Sequence, residues 1–225
     1  IRDDLVLEFR RVLFRSDTCI PESVIQKVQA PVLQMWQAAE QEGRRYFPYE
    51  YYYQVLRSGA LEPHYEIDPK DSWMLAAAKQ NLPIWTPGYE DSTLGNIFVH
   101  KVHSGELRSY QLIKNGLEQM AALVHWYREE SEKQPIGFFQ VGGGISGDFP
   151  ICVVPLLRQE YSEEVPLWSY FCQISDSTTS YGSYSGAVPS EKITWEKIGP
   201  TTPSFIIESD AAIVFPIIAQ YLLDG

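Results

Sequence analysis

The stretch Glu191-Lys-Ile-Thr-Trp-Glu-Lys197 sets two lysines, Lys192 and Lys197, on either side of Trp195. A lysine amine attacks a carbonyl or imine carbon only when neutral. A nucleophilic lysine therefore needs partial desolvation or a neighbouring cation to lower its pKa. Lys197 comes two positions after Trp195, which places both side chains on one face if the segment is extended, with the indole as an apolar wall. Lys192 lacks that relation and reads as a solvated lysine. Other residues with chemical potential lie in small-residue loops. Gly142-Gly143-Gly144, with Gly147 shortly after, departs from the GxGxxG fingerprint and reads first as a tight strand-to-helix turn. Asp91 and Asp210 each stand just beyond an apolar strand-like run. Asp210 suits the N-cap of a helix starting at Ala211, and such a cap can also meet a ribose hydroxyl.

Several chemistries are excluded. The four histidines (His64, His100, His103, His125) have no HExxH spacing, and no metal site is expected. No GxSxG elbow supports Ser-His-Asp hydrolysis. Three scattered cysteines without CxxC spacing read as reduced structural thiols of a cytoplasmic protein. A net charge of −11 argues against nucleic-acid binding, which needs a basic face, and is compatible with a cationic ligand such as a polyamine. No apolar run reaches the roughly 20 residues a membrane span requires.

These residues must be held by an alternation of helices and short apolar strands. Helical spacing is predicted over residues 23–42, with Val24, Val28, Val32, Met35 and Trp36 on one side. The aromatic patch RRYFPYEYYYQVL comes next and reads as core or oligomer interface. Then come a helix SWMLAAAKQN, a strand LPIWTP, a helix over 110–132 and the strand IGFFQV ending in the glycine run. A helix near 150–159, the strand VPLWSYFCQIS, the strand SFIIES and the helix AAIVFPIIAQYLL complete the order. This alternation predicts an α/β domain with a mainly parallel sheet. Ligands in such sheets sit outside the carboxyl ends of the strands, where the loops 87–96, 142–148, 175–186 and 208–210 fall. The opening IRDDLVLEFRRVLFRS fits poorly with the remainder of the chain, so residues 1–16 are expected to be a non-native leader and 17–225 one domain.

Read together, NLPIWTPGYEDSTLGNIFVH, FQVGGG, QISDSTTSYGSYSGAVPSEKITWEKI and ESDAAIVFP resemble the deoxyhypusine synthase family in collinear order from about Asn81 to Leu223. The likeness is greatest to the bacterial deoxyhypusine synthase-like branch. The resemblance implies a Rossmann-like NAD-binding fold, a homotetramer, and aminobutyl transfer from spermidine through a lysine Schiff base to an acceptor amine. It places the nucleophile on Lys197, the tryptophan against the polyamine on Trp195, and the acid meeting a polyamine nitrogen on Glu191. Cofactor-contacting positions fall on Asp91, Asp176, Ser177, Asp210 and Ala211. Gly143, Gly182 and Ser183 fall on the substrate pocket.

Four departures accompany these matches. Asp148 stands in the register of the family's catalytic histidine, Tyr181 and Tyr184 replace substrate-binding aspartates, and Asn96 replaces a third. Lost carboxylates weaken polyamine recognition, and aspartate in place of histidine removes a group that titrates near neutrality. By the same resemblance, the family's first Rossmann half is expected to be missing from this chain. The expected function is an NAD-dependent aminobutyl transferase acting through Lys197. The alternative is a non-catalytic member that binds NAD or a partner subunit.

Overall fold

The computed structural model describes residues 21–177 and 187–224. They fall into two compact units. One runs to Trp85 and takes in Tyr89–Lys114, and the other joins Thr86–Gly88 to the chain from Asn115 onward.

The first unit is helical. Helix α1 (Glu22–Glu42) buries Val32 and Trp36, as the helical spacing predicts, together with Ala39, while Val24 is exposed; it stops where Gly43 takes a φ of 64° and its N–H caps Ala39 and Glu40. Helix α2 (Pro48–Arg57) starts with proline at its first position, and the Glu50 carboxylate accepts from the Phe47 N–H at 2.6 Å. The aromatic patch is core. Tyr51 and Tyr53 are buried, and their hydroxyls donate to the carbonyls of Leu112 (2.9 Å) and Leu82 (2.8 Å). Helices α3 (Trp73–Gln80) and α4 (Thr93–His103) come next, and Trp36 meets Phe98 of α4 edge-on at 5.0 Å. Gly95 is required in α4, since a Cβ there would lie 2.2 Å from the Tyr89 carbonyl oxygen. The strand expected at LPIWTP does not form. Ile84 instead packs on Tyr53, Ala77 and Ala78, so apolar burial is met without a neighbouring strand to pair with.

The second unit is a layered α/β arrangement. Helix α5 (Gly116–Lys133) opens with a capping box in which Asn115 accepts from Leu117 and Glu118 while Glu118 accepts from Asn115. Strands β1 (Gly137–Val141), β2 (Tyr170–Ser175) and β3 (Ser204–Glu208) pair in parallel in the order β1-β2-β3, with Phe138 opposite Phe171 and Cys172 opposite Phe205. Between β1 and β2 runs α6 (Ile145–Ile151), continued by a short helical segment Val153–Pro155 and a π turn over Leu156–Glu160. Helices α7 (Pro189–Thr194) and α8 (Ala211–Asp224) lie before and after β3 in the chain. Central β2 is buried from Phe171 to Ser175, whereas β1 alternates. Trp168 anchors the layer beneath. Its ring packs edge-on to Tyr127 (4.8 Å) and Phe138 (5.1 Å), and its indole N–H donates to the Ile151 carbonyl at 3.1 Å. The small parallel sheet flanked by helices agrees with the α/β expectation.

Candidate functional site

The segment 189–197 is not extended. Proline at the first position of α7 presets a helical φ, and Glu196 then turns the chain with a φ of 54°. The helix ends at Thr194, and the Lys197 N–H bonds back to the Lys192 carbonyl at 2.9 Å. These two changes undo the strand alternation expected for the segment. Trp195 is 54% exposed, so it is not the wall of a lysine pocket. Lys192, expected in solvent, is 0% exposed, and Lys197 is 4% exposed. Both lysines point inward.

Each buried ammonium has a distinct set of partners. Lys197 Nζ donates to Asp148 Oδ1 at 3.2 Å, from a helix on the other side of β2 in sequence. The Asp148 side chain is 48% exposed, so this pair is closed on the lysine side and open on the carboxylate side. The same oxygen accepts from Cys152 Sγ at 3.3 Å, one helical turn along the chain. Burial pushes the Cys152 thiol up to about 11, the Asp148 carboxylate adds to the rise, and the Lys197 charge opposes it. Lys192 Nζ donates to the Ala187 carbonyl at 3.0 Å, lies 4.9 Å over the Phe171 ring, and stands 4.0 Å from Glu191 Oε2. Burial pushes the Lys192 amine below the usual lysine range, Glu191 and Asp148 oppose that shift, and Lys197 adds to it. Glu191 Oε2 is itself buried and has no hydrogen-bond partner among the described residues.

The glycine run makes the turn that the sequence suggests. Gly142 and Gly144 take φ of 83° and 73°, the Gly142 N–H donates to the Ile174 carbonyl at 2.7 Å, and α6 begins at Ile145. Gly143 sits in this turn. Gly147 packs on the amide of buried Gln140, which a Cβ would approach to 2.7 Å.

The positions expected to touch a cofactor divide between the units. Asp176 and Ser177 come directly after β2, where the Ser177 N–H donates to Ser175 Oγ at 3.1 Å. Asp210 lies just past β3 and caps α8, its Oδ1 accepting from the Ala212 N–H at 2.8 Å beside Ala211. These four positions lie at the carboxyl ends of parallel strands. Asp91 ends a 3₁₀ turn (Tyr89–Asp91) in the helical unit, and Asn96 lies in the first turn of α4, its side-chain amide donating to the Ser92 carbonyl. Tyr181, Gly182, Ser183 and Tyr184 fall outside the described residues. No cluster of metal-ligating side chains occurs among the described residues, and no described helix is long and apolar enough to cross a membrane.

Two members of the lysine cluster escape the sequence reading. Cys152 could be found from its i, i+4 relation to Asp148 on a helix. Lys192 could be found from Pro189, whose preference for a first helical turn argues against the extended segment.

Comparison with known proteins gives the chain relatives. The family described as deoxyhypusine synthase matches residues 7–222. The chain is 28% identical over 182 residues to a deoxyhypusine synthase-like protein of Cyanothece sp., covering 77% of this chain and 44% of that protein. It is 29% identical over 185 residues to a protein of the same description from Nostoc punctiforme, covering 75% and 46%. It is 31% identical over 158 residues to a probable deoxyhypusine synthase of Sulfurisphaera tokodaii, covering 70% and 45%. The chain thus spans about half the length of the curated relatives it matches.

Proposed function

Because the chain belongs to the deoxyhypusine synthase family, we propose that it is an aminobutyl-type transferase that forms a Schiff base on Lys197. The observation that carries this reading is the buried Lys197 amine held against a carboxylate whose other side is open to solvent. An amine in that position is shielded from bulk water yet reachable by a small cationic substrate from the Asp148 side.

The cluster divides the work among its residues. Asp148 Oδ1, at 3.2 Å, is the acceptor in contact with the proton that Lys197 must lose before it attacks. Glu191 presents a buried oxygen without a hydrogen-bond donor among the described residues, suited to a substrate ammonium. The Lys197 nitrogen adds to the substrate's imine carbon, and the carbon–nitrogen bond to the departing diamine breaks. The four-carbon unit stays on the enzyme as an imine until an acceptor amine displaces Lys197. Trp195, being exposed, is placed to cover an incoming polyamine and not to desolvate the lysine.

NAD fits the carboxyl edge of the sheet chemically. Asp176, Ser177, Asp210 and Ala211 gather carboxylate, hydroxyl and backbone groups at two adjacent strand ends, the kind of edge that meets ribose hydroxyls. When bound, NAD would accept the hydride that turns the donor amine into an imine, and would return it after transfer.

The test is 1,3-diaminopropane release from spermidine in the presence of NAD, measured in the full chain and in Lys197→Ala. Release that vanishes in the variant supports the reading. A second reading, a member that binds NAD or a partner subunit without transfer, is favoured by Asp148 at the expected histidine position, where it forms an ion pair with the lysine. Binding of NAD without diamine release from any polyamine would select it.

A further inference from the structure

A cavity of about 380 Å³ lies wholly in the helical unit, and nothing in the proposed transfer uses it. That volume is in the range of small-molecule sites. Its walls are apolar: Val24 and Val28 from the first two turns of α1, Leu56 near the end of α2, Leu75 from α3, and Leu61 from the linker between α2 and α3. The linker is stiff. Two 3₁₀ turns, Glu62–His64 and Pro69–Asp71, each carry proline within the first two positions, and the Asp68 carboxylate accepts from the Lys70 N–H at 3.0 Å. A linker held in this way keeps its own course and leaves the apolar walls uncovered. Apolar surface continues at the mouth, where lining residue Ile67 is 66% exposed and Trp73, next to lining residue Ser72, is 71% exposed. Tyr65 also lines the cavity, and its enclosed hydroxyl has no hydrogen-bond partner among the described residues.

Charge at the cavity is lopsided. Residues 61–71 hold four carboxylates, Glu62, Glu66, Asp68 and Asp71, against a single lysine, Lys70, whose amine is tied to Asp68 at 3.0 Å. Glu66 stands on the lining itself, which Lys27 of α1 and His64 share. We propose that this cavity binds a small organic cation, a primary ammonium carried on an apolar tail. The tail takes the place of water against Val28, Leu56, Leu61 and Leu75, and the ammonium meets the Glu66 carboxylate. Exposed Trp73 adds the aromatic face that an organic cation favours. An anionic amphiphile gains from Lys27 but meets the surplus of carboxylates, so the cation is the better match. A hollow of this size holds a whole ligand, whereas a partner protein is met by a flatter and wider patch. The apolar tail also sets this ligand apart from a polyamine, which is charged along its whole length. The inference is independent of Lys197 as nucleophile.

The experiment is a titration of the full chain, methyl-labelled at valine and leucine, with octylammonium, octanol and octanoate in separate NMR series. Octylammonium should move the Val24, Val28, Leu61 and Leu75 methyls saturably. It should bind at least about tenfold more tightly than octanoate, with octanol between them. Glu66→Gln should weaken octylammonium about threefold and leave octanol unchanged. Val28→Trp, which fills the hollow, should abolish the shifts from all three probes. No saturable shift with octylammonium at millimolar concentration overturns the proposal. So does octanoate or octanol binding as tightly as octylammonium, or a Glu66→Gln variant that binds the ammonium unchanged. Spermidine moving the same methyls as strongly as octylammonium would overturn it equally. If Val28→Trp does not fold, the probe comparison and the glutamine variant still decide, since neither alters the apolar walls.

Discussion

The two faces of the sheet unit treat their residues in opposite ways. Between α6 and α7, two lysines are buried and their partners are carboxylates, a thiol, a carbonyl and a ring. Along β3 and α8, the residues are apolar and left in the open. No residue of α8 is buried, Ile213, Ile217, Tyr221 and Leu223 are all exposed, and Phe205 and Ile206 of β3 are exposed as well. Charge inside and apolar surface outside both run against the usual distribution, and each costs free energy unless something compensates. For the lysines the compensation is visible as contacts within the unit. For α8 the unit supplies only part of it: Phe215 meets Phe139 of β1 at 6.0 Å, while Ile213, Ile217, Tyr221 and Leu223 stay open. The difference separates a closed polar cluster from an open apolar surface within one small sheet.

The sharpest way to break the closed side is through its anchor. Trp168→Ala removes a buried indole that joins Tyr127, Phe138 and the Ile151 carbonyl beneath the lysine cluster. It should cost about 3–5 kcal/mol, read as a fall in the denaturant midpoint. A loss below about 1 kcal/mol would show that the layer does not pack around this indole.

The closed side also sets a pH dependence. Cys152, with its thiol raised to about 11, should react with iodoacetamide at pH 8 about two orders of magnitude more slowly than an exposed cysteine, because the thiolate is the nucleophile. The folded form binds this proton more tightly than the unfolded chain. Its contribution to stability is therefore full below the unfolded thiol's range and is lost as pH rises through about 11. Asp148→Asn removes a carboxylate that raises the thiol and should speed the reaction.

A subtler change probes the floor of the site. Gly147→Ala would drive a Cβ to 2.7 Å from the Gln140 amide and should destabilise by about 1–3 kcal/mol in thermal or chemical unfolding. On the open side the same measurements should barely respond. Ile217→Lys places a charge on exposed α8 and should change stability by no more than about 0.5 kcal/mol. A large stability loss in that variant would mean that α8 is covered within the unit after all.

The sequence discloses this contrast unevenly. Strands β1, β2 and β3 are legible because short apolar runs bounded by turn residues carry their own signal. The glycine turn is legible too, since positive φ at Gly142 and Gly144 is what such a run provides. The strand read at LPIWTP fails because an apolar run can also be satisfied by packing, as Ile84 is, without any partner to hydrogen-bond. Around Lys197 the failure is one of period. Read as a strand, the segment pairs Trp195 with Lys197; as a helix begun by Pro189 and ended by a left-handed Glu196, it turns Trp195 outward and Lys192 inward. A long-range pair such as Lys197 with Asp148 depends on how α6 and α7 pack, and no local pattern encodes it.

The most direct measurement is borohydride trapping of the full chain with NAD and spermidine, with peptide mapping of the product. An aminobutyl adduct on Lys197, absent in Lys197→Ala and in the absence of NAD, is the predicted result. An adduct on Lys192, or none on either buried lysine, would contradict the assignment of Lys197 as the nucleophile.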